Sequence, residues 1–175
     1  MKIAITGKPG IGKSTICKKV IESLDCKKGG MLCSDIRKNR KRIGFEIKDI
    51  LTGKKGILAH VKGSGPKVGK YHVNLKDLNE IGVKAIENAI DSDLIIIDEI
   101  APMELKSKDF IRAVESAIDS EKPMLVVLHQ TSRHKLAERI RLEFKVITVN
   151  EENRNSIADD IIAILSSANL SSRKI

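Results

Sequence analysis

Residues 7–14 read GKPGIGKS, directly after the apolar run KIAIT of residues 2–6 and directly before an amphipathic stretch. The pattern GxxxxGK(S/T) between a buried strand and a helix predicts a phosphate-binding loop. Its glycines let backbone N–H groups converge on phosphate oxygens without interference from a Cβ atom. The helix that follows adds its dipole and its unpaired N–H groups. The sequence therefore predicts nucleotide binding at the start of an α/β fold.

Three side chains at the end of this loop have expected roles. Lys13 is expected to reach the β- and γ-phosphates, Ser14 to ligate Mg²⁺ and Thr15 to support the α-phosphate. Lys13 is also one of two predicted catalytic residues, because its charge would stabilise the transferred phosphoryl group. The predicted nucleotide-binding residues of the loop are Gly7, Lys8, Pro9, Gly10, Ile11, Gly12, Lys13, Ser14 and Thr15.

Short apolar runs alternate with amphipathic stretches along the rest of the chain. The predicted strands are residues 2–6, 29–36, 94–98, 124–129 and 145–150. The predicted helices follow the phosphate loop and occupy residues 74–90, 107–119, 132–142 and 155–166. Continuous apolar strands separated by helices predict a mainly parallel sheet with helices on both faces.

A different pattern fills residues 31–73. Period-two alternation in residues 42–50 predicts that 31–50 form a small antiparallel β-hairpin extension with the turn RKNRKR, residues 37–42, at its solvated tip. Residues 56–61 predict a third strand of this unit. Residues 62–72 are rich in Gly and Lys and predict a mobile loop that closes over the triphosphate or merely connects two elements.

Length and charge bound the class of protein. The 175 residues fit one domain, predicted to span 1–168 and to be followed by a flexible tail, 169–175. The formal net charge of +9 suits a partner that carries phosphates, either nucleotides or nucleic acid, and equally a Lys-rich solvated surface. Only three Phe and one Tyr are present, which disfavours binding of single-stranded nucleic acid by base stacking.

The cysteine content and the hydropathy of the chain indicate where in the cell the protein is expected to reside. Three cysteines without metal-binding spacing indicate reduced thiols and a cytoplasmic protein. No apolar run reaches the length of a membrane span or of a signal peptide, so we expect no membrane partner. A monomer is the expected state.

The stretch LIIIDEIAPMEL, residues 94–105, places three carboxylates after a buried strand. Asp98, at the strand end, is expected to hold Mg²⁺ opposite Ser14. Glu99 is the second predicted catalytic residue, because an acid beside the metal-binding Asp can orient or deprotonate the attacking water. Glu104 stays open between an acid that supports the others, a partner for a lysine and the true base.

Five further residues are secondary candidates. Asp35 ends the second predicted strand, where an acid could approach the γ-phosphate or an acceptor. Gln130 ends the strand predicted from MLVVLH, where it could sense the γ-phosphate, and Arg133 follows it. Lys70 belongs to the Gly-rich segment, and Arg154 follows the last strand, where such loops border the base. No arginine is evident as an obligatory finger, so we expect slow turnover, on the order of well under one per second.

Two alternatives to hydrolysis remain open at this point. A nucleotide or nucleic-acid 5′ kinase also combines a phosphate loop with alternating strands and helices, and would transfer the phosphoryl group to an acceptor. A nucleic-acid-stimulated ATPase is allowed by the basic charge and disfavoured by the scarce aromatics.

A set of segments is similar to one known family. The segments GKPGIGKST, GGMLCSDIR, RIGFEI, GPKVGKY, DLIIIDEIAPMEL, LHQTSRH and TVNEENRN resemble, in order and spacing, the thermophile nucleoside-triphosphatase family, which includes the cancer-related nucleoside-triphosphatase. The resemblance spans roughly residues 2–165. The phosphate loop is generic to many NTPases, whereas DEIxxMEL with a later ENRN is much more specific.

The resemblance implies both an activity and a topology. It implies Mg²⁺-dependent hydrolysis of nucleoside 5′-triphosphates (ATP, GTP, CTP and UTP) to diphosphates with little base selectivity. It also implies a RecA-like P-loop NTPase core with the sheet order 5-1-4-3-2. The family commonly has Gly at the position of Ala101 and Glu at that of Asp35. The nucleotide contacts that it implies beyond the phosphate loop are Leu94, Ile95, Ile96, Ile97, Asp98, Glu99, Ile100 and Ala101.

Overall fold

The structure of the chain, a computed structural model, describes residues 1–172. Its strands are β1 (Lys2–Thr6), β2 (Lys28–Lys38), β3 (Lys41–Asp49), β4 (Lys55–His60), β5 (Lys67–Val68), β6 (Tyr71–Val73), β7 (Leu94–Ile100), β8 (Met124–Leu128) and β9 (Lys145–Thr148). Its α-helices are α1 (Lys13–Ser23), α2 (Leu75–Asp77), α3 (Lys84–Ala89), α4 (Lys108–Asp119), α5 (Lys135–Glu143) and α6 (Ile157–Ser172).

All nine of these strands belong to one sheet, in the order β5-β6-β4-β3-β2-β7-β8-β1-β9. The pairs β2–β7, β7–β8, β8–β1 and β1–β9 are parallel. The pairs β2–β3, β3–β4, β4–β6 and β6–β5 are antiparallel. We call β9, β1, β8, β7 and residues 28–32 of β2 the parallel part. We call residues 33–38 of β2 with β3, β4, β6 and β5 the antiparallel part. The predicted α/β class with a mainly parallel central sheet is confirmed.

Alternating strand residues divide the core between the two faces of the parallel part. Ile95 and Ile97 pack with α3, α4 and α5 in one cluster, and Leu94 and Ile96 pack with α1 and α6 in the other. All four side chains are fully buried. Because successive strand residues point to opposite faces, a continuous apolar strand requires helices on both.

The antiparallel part is larger than the predicted hairpin. The segment 62–72, predicted as a mobile loop, contains β5 and most of β6, which pair with each other and continue the sheet beyond β4. The tight turn between them uses Gly69 at φ 58°. Glycine there signalled a turn between two short strands, so the interpretation as an irregular loop was wrong.

The helical predictions differ mainly at boundaries. Asn74 caps the predicted 74–90 helix, since its side chain accepts from the Asp77 N–H at 3.1 Å. This helix is interrupted by a π-helical segment, Leu78–Val83, between α2 and α3. Helix α6 runs to Ser172, beyond its predicted end at 166. Residues 173–175 of the predicted tail lie outside the described residues.

The topology brings the chemistry-bearing loops together. Strand β8 lies between β1, which leads into the phosphate loop, and β7, which ends in the acidic stretch. Because the carboxyl ends of parallel strands meet at one edge, these loops face a common crevice. Among the described residues, no helix is long and apolar enough to cross a membrane.

Candidate active site

The phosphate loop has the backbone that its glycines predict. Gly7 and Gly12 have φ values of 148° and 112°, which other residues rarely adopt. A Cβ atom on Gly7 would lie 2.6 Å from the carbonyl oxygen of Val149, so the loop after β9 packs closely against the phosphate loop.

Helix α1 presents an open N-terminus. Gly12 precedes it in a left-handed conformation, no side chain caps it, and its first turn carries no acidic residue. The N–H groups of the first turn and the positive end of the helix dipole therefore remain available to an anion.

Lys13 is held against the loop that it ends. Its Nζ donates to the carbonyl oxygens of Gly7 at 2.9 Å and Lys8 at 3.1 Å. The side chain is only 9% exposed. Its positive charge is therefore fixed at the loop where the phosphate groups are expected.

Asp98 is a buried carboxylate with an unused oxygen. It is 2% exposed, and its Oδ2 has no hydrogen-bond partner among residues 1–172. Burial raises the pKa of Asp98 to about 7, and a hydrogen bond from the Ser14 hydroxyl and the charge of Lys13 oppose that rise. Such an oxygen is costly to bury unless a cation or donor meets it.

Glu99 is less buried than Asp98. Burial raises the pKa of Glu99, whereas the charges of Lys13 and His129 lower it. His129 follows β8, and its Nδ1 is buried without a hydrogen-bond partner in the described part of the chain. Glu99 therefore interacts with both the phosphate-loop lysine and His129, which was not among the predicted site residues.

Glu104 is the third carboxylate of this acidic cluster and is buried. It is 3% exposed; its Oε1 accepts from the Cys33 thiol at 3.8 Å, and its Oε2 has no partner among residues 1–172. Burial, then repulsion from Glu99 and Asp98, raises the pKa of Glu104 well above its ordinary value. Its contact is a thiol rather than the lysine that one alternative required.

A cleft of about 410 Å³ lies between the phosphate loop and the β2–β3 hairpin. This volume falls within the range of about 300–1,000 Å³ that ligand pockets have. The cleft is lined by Pro9, Gly10, Gly12, Lys13, Ser14, Thr15, Lys18, Cys33, Ser34, Asp35, Arg37, Arg42, Phe45, Asp98 and Glu99. The structure thus brings together most of the predicted loop residues, Asp35 and the two acids after β7.

The predicted contacts in Leu94–Ala101 extend too far into the strand. Leu94, Ile95, Ile96, Ile97 and Ile100 are 0% exposed and belong to the core, so they offer no surface to a ligand. Ala101 is half-buried and is absent from the residues that line the cleft. Only Asp98 and Glu99 of this stretch line the cleft, because the pairing of β7 with β2 ends at Asp98 and its pairing with β8 is interrupted between Ile97 and Ile100.

Four secondary candidates lie outside the cleft. Gln130 and Arg133 are exposed, and the carbonyl of Gln130 accepts from Arg141 at 3.3 Å. Lys70 lies over the ring of Tyr71, with Nζ 5.3 Å from the centroid. Arg154 is exposed in the turn after β9.

Sequence reasoning missed the basic side of the cleft. Arg37 and Arg42 end the segment that was interpreted as a solvated hairpin tip, yet both line the cleft. The tip itself is shorter, since Asn39 and Arg40 form the turn with φ values of 48° and 62°. The convergence of strand ends at one edge was the available signal, because it places the far half of β2 beside the phosphate loop.

The donor set at this edge suits a divalent ion. P-loop NTPases bind Mg²⁺ through a loop Ser or Thr and an Asp at a strand end. The Ser14 hydroxyl lies close enough to lower the pKa of Asp98, and the free Oδ2 of Asp98 is a hard oxygen donor of the kind Mg²⁺ prefers. In residues 1–172 no three His, Cys, Asp or Glu side chains form a site by themselves. The residues therefore fit Mg²⁺ bound together with a nucleotide.

Comparison with known proteins agrees with this geometry. A protein-family model described as NTPase matches residues 2–162. The chain belongs to this NTPase family. Nucleoside-triphosphatase THEP1 of Methanosarcina acetivorans is 53% identical over 165 residues, covering 92% of this chain and 94% of that protein. The relative of the same name from Archaeoglobus fulgidus is 46% identical over 167 residues, covering 94% and 99%.

Two solved structures in the family share the fold. The crystal structure of THEP1 from Aquifex aeolicus has a TM-score of 0.85 and 33% sequence identity, covering 94% of this chain and 99% of that one. The solution structure of a human cancer-related nucleoside triphosphatase has a TM-score of 0.79 and 30% identity, covering 95% and 97%. The family resemblance and the enzyme class predicted from the sequence are confirmed.

Proposed function

We propose that this chain hydrolyses nucleoside 5′-triphosphates to nucleoside diphosphates and phosphate, with Mg²⁺ and broad base specificity. The observation that carries the proposal is the shared cleft, where Asp98 and Glu99 face Lys13 and the open N-terminus of α1. The family membership and the names of the relatives support the same reaction. The parallel strand order β9-β1-β8-β7-β2 supports the RecA-like topology 5-1-4-3-2.

The phosphate loop binds and orients the triphosphate in this proposal. Backbone N–H groups of the loop and of the first turn of α1 hold the phosphate oxygens, and Lys13 exchanges its two carbonyl partners for the β- and γ-phosphates. Ser14 and Asp98 would hold Mg²⁺, and a bound Mg²⁺ would neutralise negative charge on the triphosphate.

Glu99 prepares the water. Its carboxylate accepts a proton from the water whose oxygen bonds to the γ-phosphorus, while the bond from that phosphorus to the β–γ bridging oxygen breaks. The bridging oxygen leaves with the diphosphate, and its charge is balanced by Lys13. Little covalent work is needed, so most of the catalysis comes from positioning and charge.

Weak base selectivity is consistent with the turn that follows β9. The Asn150 side chain accepts from the N–H groups of Glu152 and Asn153, both at 3.0 Å. The Asn153 side chain accepts from the Asn150 N–H at 2.9 Å and donates to the Thr148 carbonyl at 2.9 Å. Three of the four polar atoms of these two side-chain amides are therefore engaged within the turn itself.

The structure gives little support to either alternative, the 5′ kinase or the nucleic-acid-stimulated ATPase. A kinase acceptor site was expected to use Asp35, but both of its carboxylate oxygens accept from Arg37 or Arg42. Stacking on single-stranded nucleic acid needs exposed aromatics, whereas Phe45 is half-buried and Tyr71 is 8% exposed. A cytoplasmic monomer remains part of the proposal; the free thiols of Cys17 and Cys33 suit reducing conditions.

The test is phosphate release from ATP, GTP, CTP and UTP, with Mg²⁺ or with excess chelator, and with candidate nucleoside or 5′-hydroxyl acceptors present. The proposal expects release from all four triphosphates at rates within about one order of magnitude, and none when the metal is chelated. Label passing from the γ-position to an acceptor, with no inorganic phosphate, would replace hydrolysis by the kinase alternative.

A further inference from the structure

Two arginines on the antiparallel part face the phosphate loop across the cleft. Arg37 on β2 and Arg42 on β3 are cross-strand partners, and both line the cleft with Lys13 and Glu99. The fold therefore supplies guanidinium groups to the site from within the chain.

The two guanidinium groups differ in whether a nitrogen remains free to donate a hydrogen bond. Arg37 donates from Nε and Nη2 to Asp35 Oδ2, at 3.2 and 2.7 Å, and from Nη1 to the Arg40 carbonyl at 3.2 Å. Arg42 donates from Nε to the Tyr71 hydroxyl and from Nη1 to Asp35 Oδ1, both at 3.3 Å. Among the residues whose side chains the structure describes, its Nη2 has no hydrogen-bond partner. Arg42 thus keeps an unused donor, whereas every nitrogen of Arg37 that can donate is engaged.

Arg42 is also held in place by its surroundings. Its guanidinium carbon lies 5.1 Å from the centroid of the Phe45 ring, and that ring meets Tyr71 edge-on at 5.1 Å. The Tyr71 hydroxyl donates back to the Arg42 carbonyl at 3.5 Å. A charge fixed before the reaction costs no reorganisation when the transition state forms, and a planar guanidinium suits phosphate oxygens.

We propose that Arg42 donates through Nη2 to the γ-phosphoryl group and stabilises the negative charge on its oxygens in the transition state. The inference rests on the proposed function, since it deepens the assignment of the same cleft. The chain then carries its own arginine in cis and needs none from a partner. The slow turnover expected from the sequence is compatible, because an arginine in cis still gives turnover of about 10⁻² per second in some NTPases.

Tyr71 is a positioning residue in this arrangement. It belongs to the segment 62–72, which the sequence predicted as a mobile loop that closes over the triphosphate or merely connects two elements. Through Tyr71 this segment contacts Arg42 rather than covering the cleft itself, because Tyr71 is absent from the cleft lining. Removing the hydroxyl alone tests this link without removing the ring that packs on Phe45.

The experiment compares Arg42→Ala, Arg42→Lys and Tyr71→Phe with wild type and with Lys41→Ala. Lys41 is the matched control, because it is the neighbouring exposed cation on β3 and lies outside the cleft. Three quantities are measured: kcat for phosphate release, affinity for ADP, and affinity for ADP with aluminium fluoride, which imitates the phosphoryl group in flight. Thermal unfolding checks that each variant is folded.

The inference expects a specific pattern. Arg42→Ala lowers kcat about 10²–10³-fold and weakens the aluminium fluoride complex by a similar factor, while ADP affinity changes less than about threefold. Arg42→Lys stays impaired because an ammonium lacks the fork geometry. Tyr71→Phe lowers kcat about 2- to 10-fold with KM unchanged, the effect of one lost positioning hydrogen bond. Lys41→Ala matches wild type.

The two proposals fail in different ways. Equal kcat and equal aluminium fluoride affinity in Arg42→Ala and wild type would overturn the role of Arg42 while leaving hydrolysis intact. Wild type that releases no phosphate from any triphosphate would overturn hydrolysis. The aluminium fluoride comparison would still decide the role of Arg42 in that case, because a kinase transfers the same phosphoryl group. Loss of ADP affinity in parallel with loss of kcat would also overturn it, since the role would then be general binding.

Discussion

Carboxylates on the parallel and antiparallel parts of the sheet have opposite surroundings. At the edge of the parallel part, Asp98 and Glu104 are 2% and 3% exposed, and each has one oxygen without a hydrogen-bond partner among residues 1–172. On the antiparallel part, the side chains of Asp35 and Glu46 are both 32% exposed and form ion pairs with Arg37, Arg42 and Lys55.

The difference separates two tasks within one sheet. A buried carboxylate with an unpaired oxygen lowers the free energy of unfolding unless a ligand binds it. Such carboxylates are typical of a site that binds metal and nucleotide. Exposed ion pairs contribute little to the free energy of unfolding, so carboxylates of the antiparallel part are expected to be replaced at little cost. The same substitution is therefore expected to have very different consequences in the two parts.

The largest expected effect is the loss of Lys13, the cation of the parallel part. Lys13→Ala is expected to lower kcat/KM for triphosphate hydrolysis by about 10³-fold or more, because both binding and the transition state use its charge. Steady-state phosphate release measures it. Lys19→Ala is the control, since Lys19 is an exposed lysine of the same helix that pairs with Asp159 at 2.8 Å. Loss of less than tenfold in Lys13→Ala would remove the lysine from the mechanism.

Substitution of one glycine in each part compares how tightly the backbone packs in the parallel and antiparallel parts of the sheet. A Cβ atom at Gly30, in the parallel part, would lie 1.9 Å from the Ile96 carbonyl oxygen, with φ at 112°. At Gly53, in the β3–β4 turn, φ is 73° and nothing lies within 4 Å. Gly30→Ala is expected to lower the free energy of unfolding by about 3 kcal/mol or more, from strain and overpacking together, and Gly53→Ala by about 1 kcal/mol. Urea unfolding of both variants decides it, and equal losses would contradict the contrast.

Glu104→Gln tests the cost of a buried acid. Burial raises the pKa of Glu104, so the folded chain keeps a proton that the unfolded chain releases as pH rises above the ordinary carboxyl value. Wild-type stability should therefore fall relative to Glu104→Gln from about pH 4 upward, by about 1.4 kcal/mol for each unit by which the folded pKa is raised. Below about pH 4 the carboxyl is protonated in both the folded and the unfolded chain, so the pH-dependent part of this difference vanishes. Urea unfolding across pH measures it, and a pH-independent difference would show that Glu104 is charged in the folded chain.

Glu46→Gln is the same substitution in the antiparallel part and carries the smallest expected effect. Glu46 forms an ion pair with Lys55 at 2.8 Å. Solvent screens this pair, because the Lys55 side chain is 55% exposed. The free energy of unfolding is expected to change by less than about 1 kcal/mol, and the change should shrink further at high salt. A loss above about 2 kcal/mol would mean that the two parts do not differ as described.

The parallel part could be predicted from the sequence because its signals are local. KIAIT, the phosphate loop and LIIID each combine a buried strand with the residues that end it, so the position of Asp98 at the crevice followed from spacing alone. The unbroken apolar run also predicts that Leu94 to Ile97 are buried, as they are. The nucleotide contacts implied by the family resemblance nevertheless included these residues.

The antiparallel part could not be predicted to the same depth, because its contacts join segments far apart in the chain. Arg42 and Tyr71 are 29 residues apart, and no local pattern announces their hydrogen bond. The same is true of Cys33 and Glu104, which are 71 residues apart. Long, flexible cations also look alike in sequence whether they face solvent or a cleft, so Arg37 and Arg42 were assigned to a solvated tip.

The central claim is that Glu99, and not Glu104, prepares the attacking water. The direct measurement is single-turnover phosphate release with saturating triphosphate and Mg²⁺, for wild type, Glu99→Gln and Glu104→Gln, with triphosphate affinity determined for each. The claim predicts a rate lowered about 10²–10⁴-fold in Glu99→Gln with affinity nearly unchanged, and a rate in Glu104→Gln within a few-fold of wild type. A Glu99→Gln variant that turns over normally while Glu104→Gln is inactive would contradict it.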